Sequence, residues 1–182
     1  ERVWLGGGLL SGRLGELMVA EAQRQIASQF PTFQLALAPH ARYLPLLGAA
    51  RSLPIEEGQA LAFDFGQTAV KRAVAVVNKG QLMRLRLLPT LPAECGDPFA
   101  PATPQRAQAR LAFLRRVVGQ SWRVAGVALE PVLALSVASY LWRGHPRGDS
   151  GCYGCMGLLA DNMTDLLTAA FGAQLGRGAE GR

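Results

Sequence analysis

The fold is indicated most clearly by the stretch Leu61-Ala62-Phe63-Asp64-Phe65-Gly66-Gln67-Thr68-Ala69-Val70-Lys71. It contains the end of a compact apolar strand over 60–65, a short glycine-containing turn, and the start of a valine-rich strand over 70–77. Asn78-Lys79-Gly80 supplies a second tight turn, and residues 81–88 form a third strand. Three strands joined by two short turns predict an antiparallel β-meander.

Segments of helical and strand character alternate on both sides of this meander. Before it, the pattern predicts strands at 2–10 and 33–37, an amphipathic helix over 14–30 and a helical turn at 46–51. After it, the pattern predicts a proline-rich loop at 89–104, a helix at 105–118, a strand at 124–129, an apolar run at 132–141, a loop at 143–157 and a helix at 158–171. This order predicts an α/β fold in which the β-meander enters a mixed sheet flanked by helices. It is the β-β-β-α-β-α order of the entry half of a ribonuclease-H-like domain.

Composition and charge narrow the class of protein. Apolar residues make up 49% of the 182 residues, which is enough for a sizeable core and argues against disorder. The formal charge of +6 favours anionic ligands such as nucleotides. The basic residues are spread along the chain without a recognised nucleic-acid motif, so nucleic acid is the less favoured partner.

The first turn carries groups suited to a phosphate. We expect Gly66 to supply positive φ, and the amides of the turn, including that of Gln67, to cradle an oxyanion. Thr68 adds a hydroxyl donor, and Lys71 adds a positive charge from a few residues into the second strand. Asp64 cannot lie beside phosphates unless a cation intervenes, which implies Mg²⁺ bound through water. An ordinary structural hairpin is the competing interpretation.

This stretch resembles the first phosphate motif, D-x-G-x-T-x-x-K, of the actin-like ATPase superfamily, and within it the ROK group of repressors and sugar kinases. The resemblance implies an ATP-dependent carbohydrate kinase that takes ATP and Mg²⁺ and passes the γ-phosphoryl group to a sugar hydroxyl. A non-catalytic nucleotide- or sugar-sensing regulator, or an actin-like scaffold, is the alternative. Either would be compatible with a homo-oligomer or with pairing to missing domain parts.

A second resemblance concerns the beginning of the chain. Gly6, Gly7 and Gly8 follow an apolar strand and resemble the adenosine-binding turn of the same superfamily, while residues 41–50 resemble the closing Gly-Ala-Ala helix of ROK proteins. Residues 1–53 therefore resemble the C-terminal part of an actin-like domain and 59–182 the N-terminal part of another, with a linker at 54–58. Because this order is reversed, we expect a fragment, a permuted chain or a tandem junction.

The acceptor side of such a kinase has weaker candidates. Asp161, near the start of the last predicted helix, is the candidate catalytic base, with a helix-surface or N-cap function as the alternative. Arg143, His145 and Arg147 lie in a loop after the apolar run and are candidates for sugar contacts. A solvated loop is the competing interpretation.

Cysteine content and hydropathy indicate the cellular compartment that we expect for the protein. Cys95, Cys152 and Cys155 do not predict a disulfide framework, and the Cys152-x-x-Cys155 pair leaves structural thiols, a metal site and a redox pair open. No apolar run approaches the length of a membrane span, and no signal peptide is evident. We therefore expect a soluble cytoplasmic protein.

Overall fold

The computed structural model describes residues 2–7, 10, 12–97, 100–139, 141–146 and 152–179. The chain divides into two compact units, residues 1–47 and residues 48–182. Among the described segments, no helix combines the length and the apolarity that a membrane crossing requires.

The first unit is a small βαβ arrangement. It contains β1 (Arg2–Leu5), α1 (Gly12–Ile26) and β2 (Gln34–Leu37), followed by a 3₁₀ turn at Ala41–Tyr43 and the start of α2 (Leu44–Arg51). The two strands pair in parallel from Arg2 opposite Gln34 to Leu5 opposite Leu37. These elements confirm the predicted types, although α1 ends at Ile26 rather than Phe30.

The apolar side of α1 is more exposed than its pattern predicts. An amphipathic helix over 14–30 is expected to bury its apolar side, yet the side chains of Leu14, Leu17, Met18 and Phe30 are exposed. Of the residues in α1, only Gly15 and Val19 are buried. Periodicity shows which residues share a helix face, but the neighbouring elements decide whether that face is covered.

The second unit is built on a mixed four-stranded sheet. Its strands are β3 (Glu57–Phe65), β4 (Ala69–Asn78), β5 (Gln81–Pro92) and β6 (Leu133–Val137), in the order β5-β4-β3-β6. β3, β4 and β5 form the predicted antiparallel meander, and β6 pairs in parallel with β3. The mixed α/β class is therefore correct, and β3 begins at Glu57, inside the predicted linker.

The elements after the meander have different boundaries from those predicted. α3 runs over Pro104–Val124, and the chain continues through β7 (Leu141–Trp142), β8 (His145–Pro146), a 3₁₀ helix at Gly154–Leu158 and α4 (Met163–Ala179). The strand predicted at 124–129 was wrong, because α3 continues to Val124 and Gly126 then turns the chain with a φ of 66°. The strand that enters the sheet comes from the following apolar run.

One face of the sheet packs against α3 and α4. Alternation along β3 sends Leu61, Phe63 and Phe65 to this face, where they join buried side chains of both helices. The same alternation places Asp64 on the opposite face, in line with the buried residues Ala60 and Ala62. The period of two thus separates the aspartate from the aromatic core that surrounds it in sequence.

Candidate functional site: the β3–β4 hairpin

The hairpin lies at the edge of the sheet where β3 and β6 both end. In the parallel pair, Asp64 lies opposite Ser136 and Phe65 opposite Val137, and the Ala138 amide donates to the Phe65 carbonyl over 2.9 Å. Carboxyl ends of parallel strands are the usual ligand-binding edge of an α/β sheet. Ser136 was missed by sequence reasoning, because only the parallel pairing brings it beside Asp64.

Asp64 and Lys71 form a buried ion pair across the hairpin. They lie opposite each other in the antiparallel register, and Nζ of Lys71 donates to Oδ2 of Asp64 over 2.7 Å. Only 8% of the aspartate side chain and 16% of the lysine side chain are exposed. Burying two charges has a high desolvation cost, which close pairing offsets. The predicted positive charge is therefore present at the hairpin, directed at the carboxylate.

Gly66 was predicted to adopt a positive φ, and this prediction was wrong. Gly66 is absent from the glycines that adopt positive φ. Its amide instead donates to the Ala69 carbonyl over 3.1 Å, and a Cβ added at Gly66 would lie 2.8 Å from that carbonyl oxygen. A side chain at this position would collide with backbone, so the turn needs glycine for close approach rather than for dihedral freedom.

Two carbonyl groups of the turn are held by the protein around it. The Thr68 carbonyl accepts from the amide of Ala93 over 3.1 Å, and the Gly66 carbonyl accepts from the hydroxyl of Tyr153 over 3.3 Å. Burial raises the pKa of Tyr153 to about 12, with Asp64 adding to the rise and Arg110 opposing it. The phenol therefore stays protonated and donates at neutral pH.

The amides of Gln67 and Thr68 have no such partners. Both residues are exposed, and within the described part of the chain neither amide donates to a protein acceptor. Successive unpaired amides in a turn form a small concavity that binds anions. With its carbonyls held by the protein, the turn has these two donors and the Thr68 hydroxyl left for a ligand.

In the first unit, the predicted adenosine turn has a conformation that only glycine adopts readily. Gly7 has a φ of 122°, and its amide donates to the Ala41 carbonyl over 3.1 Å. A side chain on Gly6 would collide with that of Leu44. Gly8 lies outside the described residues. A depression of about 270 Å³ opens beyond the end of β2 and includes Tyr43 among its lining residues.

The acceptor-side candidates form a separate group at the start of α4. Nδ1 of His145 lies 2.7 Å from the carbonyl oxygen of Asp161, and the Arg143 guanidinium lies over the Trp142 ring at 5.8 Å. The N-cap of α4 is Asn162, whose side-chain oxygen accepts from the Thr164 amide over 2.8 Å. Asp161 is exposed, so its carboxylate is open to solvent. Arg147 lies outside the described residues.

The cysteines differ from expectation. Cys95 and Cys152 form a disulfide with a Cα–Cα distance of 5.1 Å, although no disulfide was predicted. The bond brings together residues 57 positions apart, a proximity that only the tertiary fold creates. Cys155 is a buried free thiol. Within the described residues, no group of three or more His, Cys, Asp or Glu side chains could hold a metal ion.

Comparison with known proteins adds no assignment to this geometry. No family model, curated protein or solved structure matches the chain. The resemblance to actin-like ATPases therefore remains an expectation based on residues 61–71 and on the glycine turn. The functional argument rests on the contacts of the hairpin.

Proposed function

We propose that this chain binds Mg-ATP through the β3–β4 hairpin of a ribonuclease-H-like domain and serves ROK-type phosphoryl transfer to a sugar hydroxyl. The observation that carries the proposal is the arrangement of the turn's backbone. The carbonyls of Gly66 and Thr68 are held by the protein, whereas the amides of Gln67 and Thr68 are left exposed beside a buried aspartate–lysine pair.

The donor set at the hairpin suits a magnesium-bound phosphate chain. Magnesium at nucleotide sites is held by one or two carboxylates together with phosphate oxygens and water. Asp64 supplies one carboxylate, and its oxygens can accept from Lys71 and from a metal-bound water at the same time. The amides and hydroxyl of the turn would bind phosphate oxygens, and Lys71 would balance their charge.

The sheet topology supports the same proposal. A three-stranded meander followed by a helix and a strand parallel to β3 is the element order of the entry half of a ribonuclease-H-like domain. The hairpin lies at the carboxyl end of β3, where antiparallel pairing with β4 on one side meets parallel pairing with β6 on the other. Such an edge is a common binding position in α/β folds.

The remaining parts of the proposed activity are assigned to two other groups of residues. Within the first unit, taken by itself, the turn at Gly6 and Gly7 and the depression beside Tyr43 would suit an adenosine group, because a glycine backbone permits close approach to a flat base. The exposed carboxylate of Asp161 would take the proton of the sugar hydroxyl, with Arg143 and His145 contacting the sugar. Backbone amides, Lys71 and Mg²⁺ would neutralise charge during the transfer.

A nucleotide-sensing regulator is the second candidate. The observation that favours it is the Asp64–Lys71 pair, which satisfies both charges without a ligand. In a regulator, nucleotide binding would open this pair and change the hairpin without any transfer. Binding without turnover on a panel of hexoses would identify this function.

The test is calorimetric titration of the chain with ATP, with and without Mg²⁺. We expect Mg²⁺-dependent binding that is weakened by at least about tenfold in Asp64→Asn, which keeps the shape of the side chain but removes its charge. Lys79→Met at the other turn of β4 is the matched control and should bind like the parent. No binding by a folded parent chain, or equal binding by Asp64→Asn, would overturn the proposed site.

A further inference from the structure

The Cys95–Cys152 disulfide joins the two segments that hold the hairpin. Cys95 lies two residues beyond Ala93, whose amide donates to the Thr68 carbonyl. Cys152 directly precedes Tyr153, whose hydroxyl donates to the Gly66 carbonyl. A single covalent bond therefore connects both external supports of the turn.

A third sulfur lies close to this bond. Cys155 is buried, and its Sγ lies 3.8 Å from the carbonyl oxygen of Cys152. It belongs to the 3₁₀ helix at Gly154–Leu158, so the two residues of the Cys-x-x-Cys pair are one helical turn apart. Such spacing permits a direct Cys152–Cys155 disulfide, and thiol–disulfide exchange needs only a thiolate beside an existing disulfide.

We infer that the three cysteines form an internal thiol–disulfide switch that sets the rigidity of the β3–β4 hairpin. The Cys155 thiol loses its proton to solvent, and its thiolate attacks Sγ of Cys152. The Cys152–Cys155 bond forms, the Cys95–Cys152 bond breaks, and Cys95 leaves as a thiolate that takes up a proton. One disulfide and one thiol are present before and after the step, so no external oxidant or reductant is consumed.

The two disulfide states differ in how the hairpin is supported. In the Cys95–Cys152 state, the segments carrying Ala93 and Tyr153 are covalently linked. In the Cys152–Cys155 state, the first segment keeps its contacts with Arg110, which donates to the Glu94 carbonyl and, over 2.7 Å, to the Cys95 carbonyl. It loses its covalent link to Tyr153, so the bonds to the turn open more often.

The exchange is tested by mapping thiols in the non-reduced chain. After incubation at mildly alkaline pH, the protein is quenched in acid, unfolded and alkylated with a maleimide. Trypsin cuts at arginines between Cys95 and Cys152 and at none between Cys152 and Cys155, so the two linkages give different peptides. We expect labelled Cys95 as well as labelled Cys155. Labelling of Cys155 alone, or of all three cysteines, would overturn the switch.

The effect on the hairpin is tested with two matched serine variants. Cys155→Ser retains the Cys95–Cys152 link, whereas Cys95→Ser leaves Cys152 and Cys155 to pair. We expect the Gly66 and Ala93 amides, followed by NMR, to exchange with solvent roughly tenfold faster in Cys95→Ser. Equal exchange rates in two equally folded variants would show that the Cys95–Cys152 bond does not set the rigidity of the hairpin.

Neither measurement requires a nucleotide, and only the consequence for ligand binding rests on the proposed function. If the amides differ and both variants bind Mg-ATP, we expect weaker binding by Cys95→Ser. If the amides differ and neither variant nor the parent binds ATP, the switch stands and the proposed function fails. The two ideas are therefore separable in one set of proteins.

Discussion

β4 has a tight turn at each end, and the two turns keep their shapes by different means. The β4–β5 turn is shaped by its backbone dihedral angles, since Lys79 and Gly80 have φ values of 52° and 68°, and its bond to a segment outside the hairpin is made by an amide, that of Gly80, which donates to the Glu56 carbonyl over 2.9 Å. Such consecutive positive values suit the right-handed twist of a two-residue hairpin. In the β3–β4 turn, Gly66 does not have a positive φ, and its carbonyl and that of Thr68 are held from outside.

The two turns also differ in whether their charged side chains are buried or exposed. Lys79 at the second turn is exposed to solvent. At the first turn, Asp64 and Lys71 are both largely buried, at a desolvation cost that an ordinary hairpin does not require. Buried, paired charges beside exposed amides distinguish the first turn from the second, and this difference can be tested turn by turn.

The largest difference should come from the lysines. Lys71→Met leaves the Asp64 carboxylate buried without its partner, which should lower the free energy of unfolding by about 3 kcal/mol. Lys79→Met removes an exposed charge and should change it by less than about 0.5 kcal/mol. Urea unfolding followed by circular dichroism measures both values.

A double variant separates loss of the pair from loss of packing. Lys71→Met combined with Asp64→Asn removes both charges, so it should recover much of the stability that Lys71→Met alone loses. If Lys71→Met and Lys79→Met lowered the free energy of unfolding equally, Asp64 and Lys71 would not be a buried pair.

The glycines should show a smaller difference that depends on the incoming residue. Gly66→Ala should cost about 2 kcal/mol, because the new Cβ would lie 2.8 Å from the Ala69 carbonyl oxygen. Gly80→Ala should cost about 1 kcal/mol through its positive φ. Asparagine tolerates positive φ, so Gly80→Asn should be milder than Gly80→Ala, whereas Gly66→Asn should be no milder than Gly66→Ala. Melting temperatures of the four variants measure this contrast, and relief by asparagine at both positions would contradict it.

These two turns also show how far sequence reasoning reaches. Alternation and turn residues are local signals, and they were enough to predict the meander and to select 64–71 as the candidate site. The register of the β3–β4 hairpin also predicts a pairing that the sequence analysis did not draw. In a hairpin that pairs Phe65 with Val70, Asp64 must lie opposite Lys71. The ion pair was therefore available from the sequence.

Other parts of the site depend on contacts between distant segments. Ser136 reaches Asp64 through parallel pairing, and Tyr153 reaches Gly66 across 87 positions of the chain. Neither contact leaves a periodic signal. The wrong strand at 124–129 has a local cause, since the end of α3 and a strand are both rich in apolar residues and only packing distinguishes them. The disulfide likewise follows from proximity in the fold.

A smaller effect than those of Lys71→Met and Gly66→Ala should come at neutral pH from Tyr153, whose hydroxyl contacts the first turn and not the second. Tyr153→Phe removes the hydrogen bond to the Gly66 carbonyl and should cost about 1 kcal/mol at pH 7. The pKa of this phenol is about 12 in the folded chain against an ordinary 10, so between these values the folded state holds a proton that the unfolded state has lost. Stability from this group is therefore complete below pH 10 and is lost as pH rises toward 12.

The pH dependence separates a hydroxyl that supports the turn from one that is merely buried. Denaturant unfolding should show the parent about 1 kcal/mol more stable than Tyr153→Phe at pH 7. This advantage should shrink above pH 10 and reverse as pH approaches 12, because a pKa raised from 10 to about 12 outweighs a single hydrogen bond. Other titrating groups are common to both proteins and cancel in the difference. Faster exchange of the Gly66 amide in the phenylalanine variant would locate the lost stability at the turn. An unchanged exchange rate with a lower melting temperature would place the hydroxyl's effect in the core, and the β3–β4 turn would then be less dependent on external support than its contacts indicate.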